Sequence, residues 1–277
     1  MTTRPAVRPP AVAGRFYPDG PRELEAVVRE FLAAASGIPD PFPTASGAVH
    51  PPVALVAPHA GYAYSGPVAG SAYALVAPAR GAIRRAVLLG PSHYVAFRGL
   101  ALPECDAFGT PLGEHAVDAD GAAALQASPT VRRWERAHRE EHSLEVQLPF
   151  LTVVLGPVPI LPLVTGAAEP GEIADALALV WTADTLVVVS SDLSHYLPYD
   201  RAREADERTA DAIVHLRGDT LGPHDACGAV ALRGLLEAAR RRGLESRCLD
   251  LRNSGDISED RGRVVGYGAF GFWAPRA

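Results

Sequence analysis

Residues Val53–Gly66 read VALVAPHAGYAYSG. A five-residue apolar run, Val53 to Ala57, stops at Pro58, and His59 follows inside a turn rich in Gly and Tyr. A short apolar run closed by a breaker suits a buried strand, so His59 stands at a strand's exit. The construction recurs twice: AVLLGPSHY (86–94) ends in His93 and Tyr94, and TLVVVSSDLSHY (185–196) carries Asp192 and His195. Strands of one parallel sheet release their carboxyl ends along a common edge, where open α/β sheets bind ligands. The three exits together predict a metal-centred site on that edge.

Working outward, apolar strands alternate with helical stretches, which is the pattern of an α/β fold. The reading is a single domain over 1–277 with a largely parallel central sheet flanked by helices, and room for an antiparallel addition. Residues 1–14 hold three prolines and are expected as an extended arm, first anchored at Arg15-Phe16-Tyr17-Pro18. A helix is predicted over 22–34, with Leu24, Val27, Val28, Phe31 and Leu32 on one face, and a Pro- and Gly-rich surface loop over 36–52 with His50 exposed. Gly66-Pro67 is expected to open a small-residue helix lying close against the sheet. The punctuated stretch from Tyr94 to His115 suits strands or a hairpin bordering the site. Further helices are predicted near 118–127, 171–181, 200–216 and 225–242. Strands are predicted at 158–164 and 185–190 and in the final segments LESRCLDL and RVVGYGAFGFW.

Composition narrows the function classes. With 48% hydrophobic and 21% charged residues the chain is an ordinary globular protein. A net charge of -6 argues against a nucleic-acid surface, which needs clustered basic side chains. Arg240 to Arg242 sit where cations suit a helix C-terminus. Three cysteines make no disulfide framework, so a reducing cytoplasm is expected. No stretch approaches the roughly 20 apolar residues of a membrane span, and the N-terminus lacks a signal-peptide core.

Neutral imidazole is a common transition-metal ligand, which makes His59 and His93 candidates. Cys227, in GPHDACG (222–228), is the third: with Asp225 as N-cap it would occupy a helix's first turn, where the dipole eases deprotonation. Cys105 and Cys248 read as filler. Asp192 and His195 share a loop, either as a carboxylate orienting an imidazole or with His195 as general acid or base over the metal. One of Ser191, Asp192 and Ser194 is expected to cap the following helix. His142 is ambiguous. Tyr62, Tyr64, Tyr94 and Tyr196 follow histidines closely, and of these Tyr62 and Tyr94, with His142, are assigned to substrate binding.

The motifs AVAGRFYP, APHAGYAYSG, LGPSHY, FGTPLGEH, EHSLEVQLPFL, VVSSDLSHY, DACG, GDIS and VVGYGAFGFW occur in this order nearly end to end. In this the chain resembles the Memo family, in prokaryotes also called AmmeMemoRadiSam system protein B. The resemblance implies a fold similar to the class III extradiol dioxygenases, non-haem iron enzymes with two histidine ligands, one carboxylate ligand and a catalytic histidine. It implies that His59 and His93 are metal ligands, that Cys227 stands in the carboxylate's place, and that His195 takes the acid–base position with Asp192 beside it. Iron or copper is implied, and a thiolate in place of a hard carboxylate shifts preference toward copper(I), zinc or thiolate-bound iron. The resemblance further implies a radical-SAM protein and an AMMECR1-domain protein as partners, with a small-molecule or peptide ligand in the pocket. Three functions follow as expectations: a metal-dependent, dioxygenase-like oxidoreductase; a zinc-type hydrolase using the same residues; and a non-catalytic protein whose pocket captures a peptide or partner.

Overall fold

The structure, a computed structural model, describes residues 6–35 and 50–275. The expected loop over 36–52 lies outside the described residues as far as residue 49, and His50 is exposed. In chain order the strands and α-helices are β1 (Val7–Arg8), α1 (Pro21–Ala34), β2 (Ala54–Ala57), α2 (Tyr62–Tyr73), β3 (Arg85–Pro91), β4 (Leu100–Leu102), β5 (Ala107–Thr110), β6 (Gly113–Ala116), α3 (Ala119–Leu125), β7 (Val131–Arg133) and α4 (Glu135–His138). There follow α5 (Leu148–Leu155), β8 (Ile160–Thr165), α6 (Pro170–Ala178), β9 (Thr185–Ser190), β10 (His195–Leu197), α7 (Tyr199–Val214), α8 (Ala229–Arg242), β11 (Glu245–Asn253) and β12 (Val264–Trp273).

The fold is a single α/β domain. Its main sheet runs β10-β12-β2-β9-β3-β8-β4-β7, with β11 also on β12. The four central strands β2, β9, β3 and β8 are parallel, whereas β12 is antiparallel to β2 and β4 to β8, so the sheet is mixed, with a parallel centre and antiparallel additions on both sides. Every residue of β2, β8 and β9 is buried, as a strand covered on both faces requires. Ala54 and Val56 join one core with Ile173 of α6 and Leu232 of α8. Leu55 and Ala57 join the other, with Leu24 of α1 and Val68 of α2, because successive side chains alternate across a strand.

Two local readings are corrected. Helix α2 starts at Tyr62 directly after Gly61 and keeps Pro67 inside it. Its small residues meet α1: a Cβ on Gly66 would lie 2.2 Å from Phe31 Cε2, so the glycine lets the two helices touch. The arm is anchored well before Arg15. β1 pairs in parallel with β5 in a small sheet completed by β6, and Arg8 is only 3% exposed. The β5–β6 hairpin forms as expected, but no residue of it lines the pocket described below.

Candidate metal centre

β9 lies between β2 and β3, and the register aligns Ala57 with Ser190 and Leu89 with Val189. Three parallel strands therefore end together, and their exits bring His59, His93, Asp192 and His195 to one cavity of about 580 Å³. Phe16, His142, Tyr196, His224, Cys227 and Val265 also line it.

His59 is 2% exposed and its Nδ1 lies 2.9 Å from Ser190 Oγ. The Ser190 hydroxyl donates to the Ser143 carbonyl at 2.6 Å and accepts from Gln147 Nε2 at 2.8 Å. Its one proton is thus committed, so His59 Nδ1–H donates to it and Nε2 keeps a lone pair. Cys227 Sγ sits 3.3 Å from that Nε2. Burial, with His93 beside it, lowers the His59 pKa to about 3, so the ring is neutral at physiological pH.

Glu141 holds His93. Its carboxylate accepts the His93 backbone N–H at 2.7 Å and Nδ1 at 2.8 Å, which orients the ring and leaves Nε2 free. Burial alone would raise the Glu141 pKa, but the bonds from His93, with the Ser143 N–H, draw it down to about 2. Burial lowers the His93 pKa and Glu141 more than restores it, so the net shift is upward.

His142 stacks on His93, with centroids 4.6 Å apart, and meets Phe16 at 4.7 Å. Its buried Nδ1 has no hydrogen-bond partner; Glu141 Oε1, 3.5 Å away, already serves His93 and two backbone amides. Burial, with His59 adjacent, lowers its pKa to about 4. The candidate ligand atoms of His59, His93 and His142 all lie within 4.8 Å of one another, so these three rings could hold one metal ion. Two rings tethered through Nδ1 and a third with an unpartnered buried nitrogen fit such an ion. The third imidazole of this group is His142, a residue assigned from sequence to the substrate.

Cys227 differs from its expected setting. Asp225 accepts the Gly222 N–H at 2.8 Å and so closes a turn instead of capping, and α8 begins only at Ala229. Burial, with Asp192 beside it, pushes the thiol up to about 12, opposite to the expected easing. Asp192, 5% exposed, accepts the His59 backbone N–H at 2.8 Å and so ties the β9 exit to the β2 exit. Burial raises its pKa against the bonds from that loop. The ring of His195 is oriented by the Leu193 carbonyl, 2.8 Å from Nδ1. None of Ser191, Asp192 and Ser194 caps α7, whose N-cap is Pro198.

Tyr62, assigned above to substrate binding, lies in the core: it is 2% exposed and its hydroxyl donates to the Val146 carbonyl at 2.7 Å. The helix beginning at Tyr62 turns the ring inward, away from the cavity. Tyr94 is 56% exposed and its ring lies 6.2 Å from that of His142, but it does not line the cavity. Glu141 and Ser190 were not singled out from sequence, and a charged stretch such as REEHS gives no sign that its Glu is buried. His224, exposed on a short loop, carried no signal either.

A family model described as Memo-like protein matches residues 8–270. This chain belongs to the Memo family. A MEMO1 family protein of Desulfurococcus amylolyticus is 34% identical over 280 residues, covering 96% of this chain and 99% of its own. One from Methanopyrus kandleri is 35% identical over 282 residues, with coverage of 96% and 98%. Among solved structures, an uncharacterized protein from Escherichia coli K12 superposes with a TM-score of 0.50 at 14% identity over 78% of this chain and 98% of its own. That likeness concerns the fold alone. In this Memo family member the described residues include no helix long and apolar enough to cross a membrane.

Proposed function

We propose that the cavity binds one transition-metal ion, iron or copper with zinc as the alternative, and works as an oxidoreductase centre on a small oxygenated molecule. The observation that carries this is the pair of tethered rings: Ser190 and Glu141 occupy Nδ1 of His59 and His93, so each Nε2 keeps a lone pair beside His142, that of His59 facing Cys227 Sγ. His59 and His93 would be ligands, with the third position taken by His142 on proximity or by Cys227 on the family resemblance. Such an ion supplies Lewis acidity and, as iron or copper, one-electron chemistry. His195, its Nδ1–H committed to the Leu193 carbonyl, presents Nε2 to accept and return a proton. Asp192 keeps the two loops in register, and Phe16 and Val265 make the wall apolar.

A second reading, capture of a peptide or partner protein, is supported by the exposed Tyr94 and Tyr196 (56% and 62%). The family resemblance offers a radical-SAM protein and an AMMECR1-domain protein as partners for either role. The unpaired Cys105, Cys227 and Cys248 suit a cytoplasmic setting.

Oxygen uptake by the metal-loaded protein, screened over small oxygenated compounds, tests the first reading. Replacing His195→Gln is expected to slow uptake by about 10²- to 10⁴-fold with metal content unchanged. Uptake no faster than that of the free ion overturns the oxidoreductase reading. Partner capture that survives alanine at His59, His93 and Cys227 together favours the second.

A further inference from the structure

We infer that the N-terminal arm is a working part of this site, with Arg8 as the positioning residue that locks the turn presenting Glu141 and His142. The inference rests on reading the cavity as a metal centre. Arg8 spreads its guanidinium over the whole turn. Nε donates to the His138 carbonyl at 2.7 Å, Nη2 to the Glu141 carbonyl at 2.6 Å and Nη1 to Glu145 Oε2 at 2.7 Å. Arg8 and Glu145 are both buried, and a planar fork is the one side chain that meets three such acceptors at once.

The same carboxylate fastens the rest of the arm. Glu145 also accepts the backbone N–H groups of Ala11 and Val12 at 2.8 and 3.0 Å and the Tyr17 hydroxyl at 2.6 Å. Between the fastened points, Phe16 lies against the His142 ring. Residues 139–144 form no helix or strand, so the turn has little regular bonding of its own. Within it Glu141 must face His93 while His142 stacks on the same ring. Without Arg8, the Glu141 carbonyl would lose a charged donor in a buried place, and such a loss favours local opening. Two groups of the site thus depend on a side chain more than 130 positions earlier in the chain.

Arg8→Met and Arg8→Lys test this on the full chain. Lys keeps a charge for Glu145 but, as a compact ammonium, cannot span both carbonyls. Amide hydrogen exchange at Glu141, His142 and Ser143, measured without metal, is expected to speed up about tenfold relative to amides of β3 and β9 in both variants. Affinity for added iron or copper, measured by equilibrium dialysis, is expected to fall by about 10- to 100-fold. Exchange that rises uniformly over the sheet, or not at all, overturns the positioning role. Local loosening with undiminished metal affinity overturns the link to the site. If the unaltered protein binds no metal, the reading of the cavity fails, while exchange still decides whether Arg8 holds the turn. Should the Met variant not fold, the Lys variant decides.

Discussion

His59 and His93 leave strands on either side of β9 by the same device, an apolar run closed by proline, and their rings lie 5.2 Å apart. Their settings are opposite. His59 is buried, gives its Nδ1–H to a neutral hydroxyl, and has a pKa lowered to about 3 by burial and by His93. His93 is exposed, gives its Nδ1–H to a buried carboxylate, and has its pKa raised because Glu141 outweighs burial. The sheet edge sets where each ring stands. What surrounds each ring sets how basic it is: burial dominates at His59, whereas at His93 the carboxylate of Glu141, supplied from a distant part of the chain, outweighs burial. His59 is thus neutral at physiological pH, whereas below its raised pKa His93 carries a proton that a bound metal ion would have to displace.

The largest effect that would sharpen this contrast comes from removing the partners one at a time. Glu141→Gln is expected to weaken metal affinity by about 10- to 100-fold, as loss of an orienting carboxylate does. Ser190→Ala is expected to cost about fivefold, since a neutral hydrogen bond contributes roughly 1 kcal/mol. Equal losses in dialysis against the same metal would break the comparison. Glu141 also predicts acid behaviour. Its folded-state pKa lies below the ordinary 4.5, so its contribution to stability is present above that value and is lost as pH falls toward about 2. Denaturant titrations should show this loss in the unaltered protein and not in Glu141→Gln.

A smaller effect separates the two rings by pH. Below the raised pKa of His93, metal binding displaces its proton, so affinity should rise by about tenfold per pH unit and level off above it. In Glu141→Gln the levelling should move to lower pH, and His59 should contribute nothing in this range. An affinity that is flat with pH in the unaltered protein would remove the distinction between the rings.

The part of this arrangement that is local in sequence was legible. Each apolar run with its closing residue and histidine can be read in about ten positions, and three of them sufficed to place His59, His93 and His195 on one edge. What depends on distant partners was not. Glu141 lies 48 positions from His93 in a charged stretch that reads as surface, and only burial at the edge of the cavity reveals its role. His142 acquires a place beside His59 and His93 only through the turn held by Arg8. Helix α2 begins earlier than Pro67 suggests, because Gly61 ends the loop and the helix absorbs the proline, and this start carries Tyr62 into the core. Strand direction also escapes periodicity, since an apolar run looks the same parallel or antiparallel, so an antiparallel addition could be expected but not assigned to β12 and β4.

The most direct test is the number of metal ions per chain in protein purified without added metal or chelator and then dialysed against iron(II), copper or zinc, beside His59→Ala. One ion per chain in the unaltered protein, with almost none in His59→Ala, is the predicted result. No stoichiometric ion in the unaltered protein, or the same content in His59→Ala, would contradict a metal centre at these strand exits.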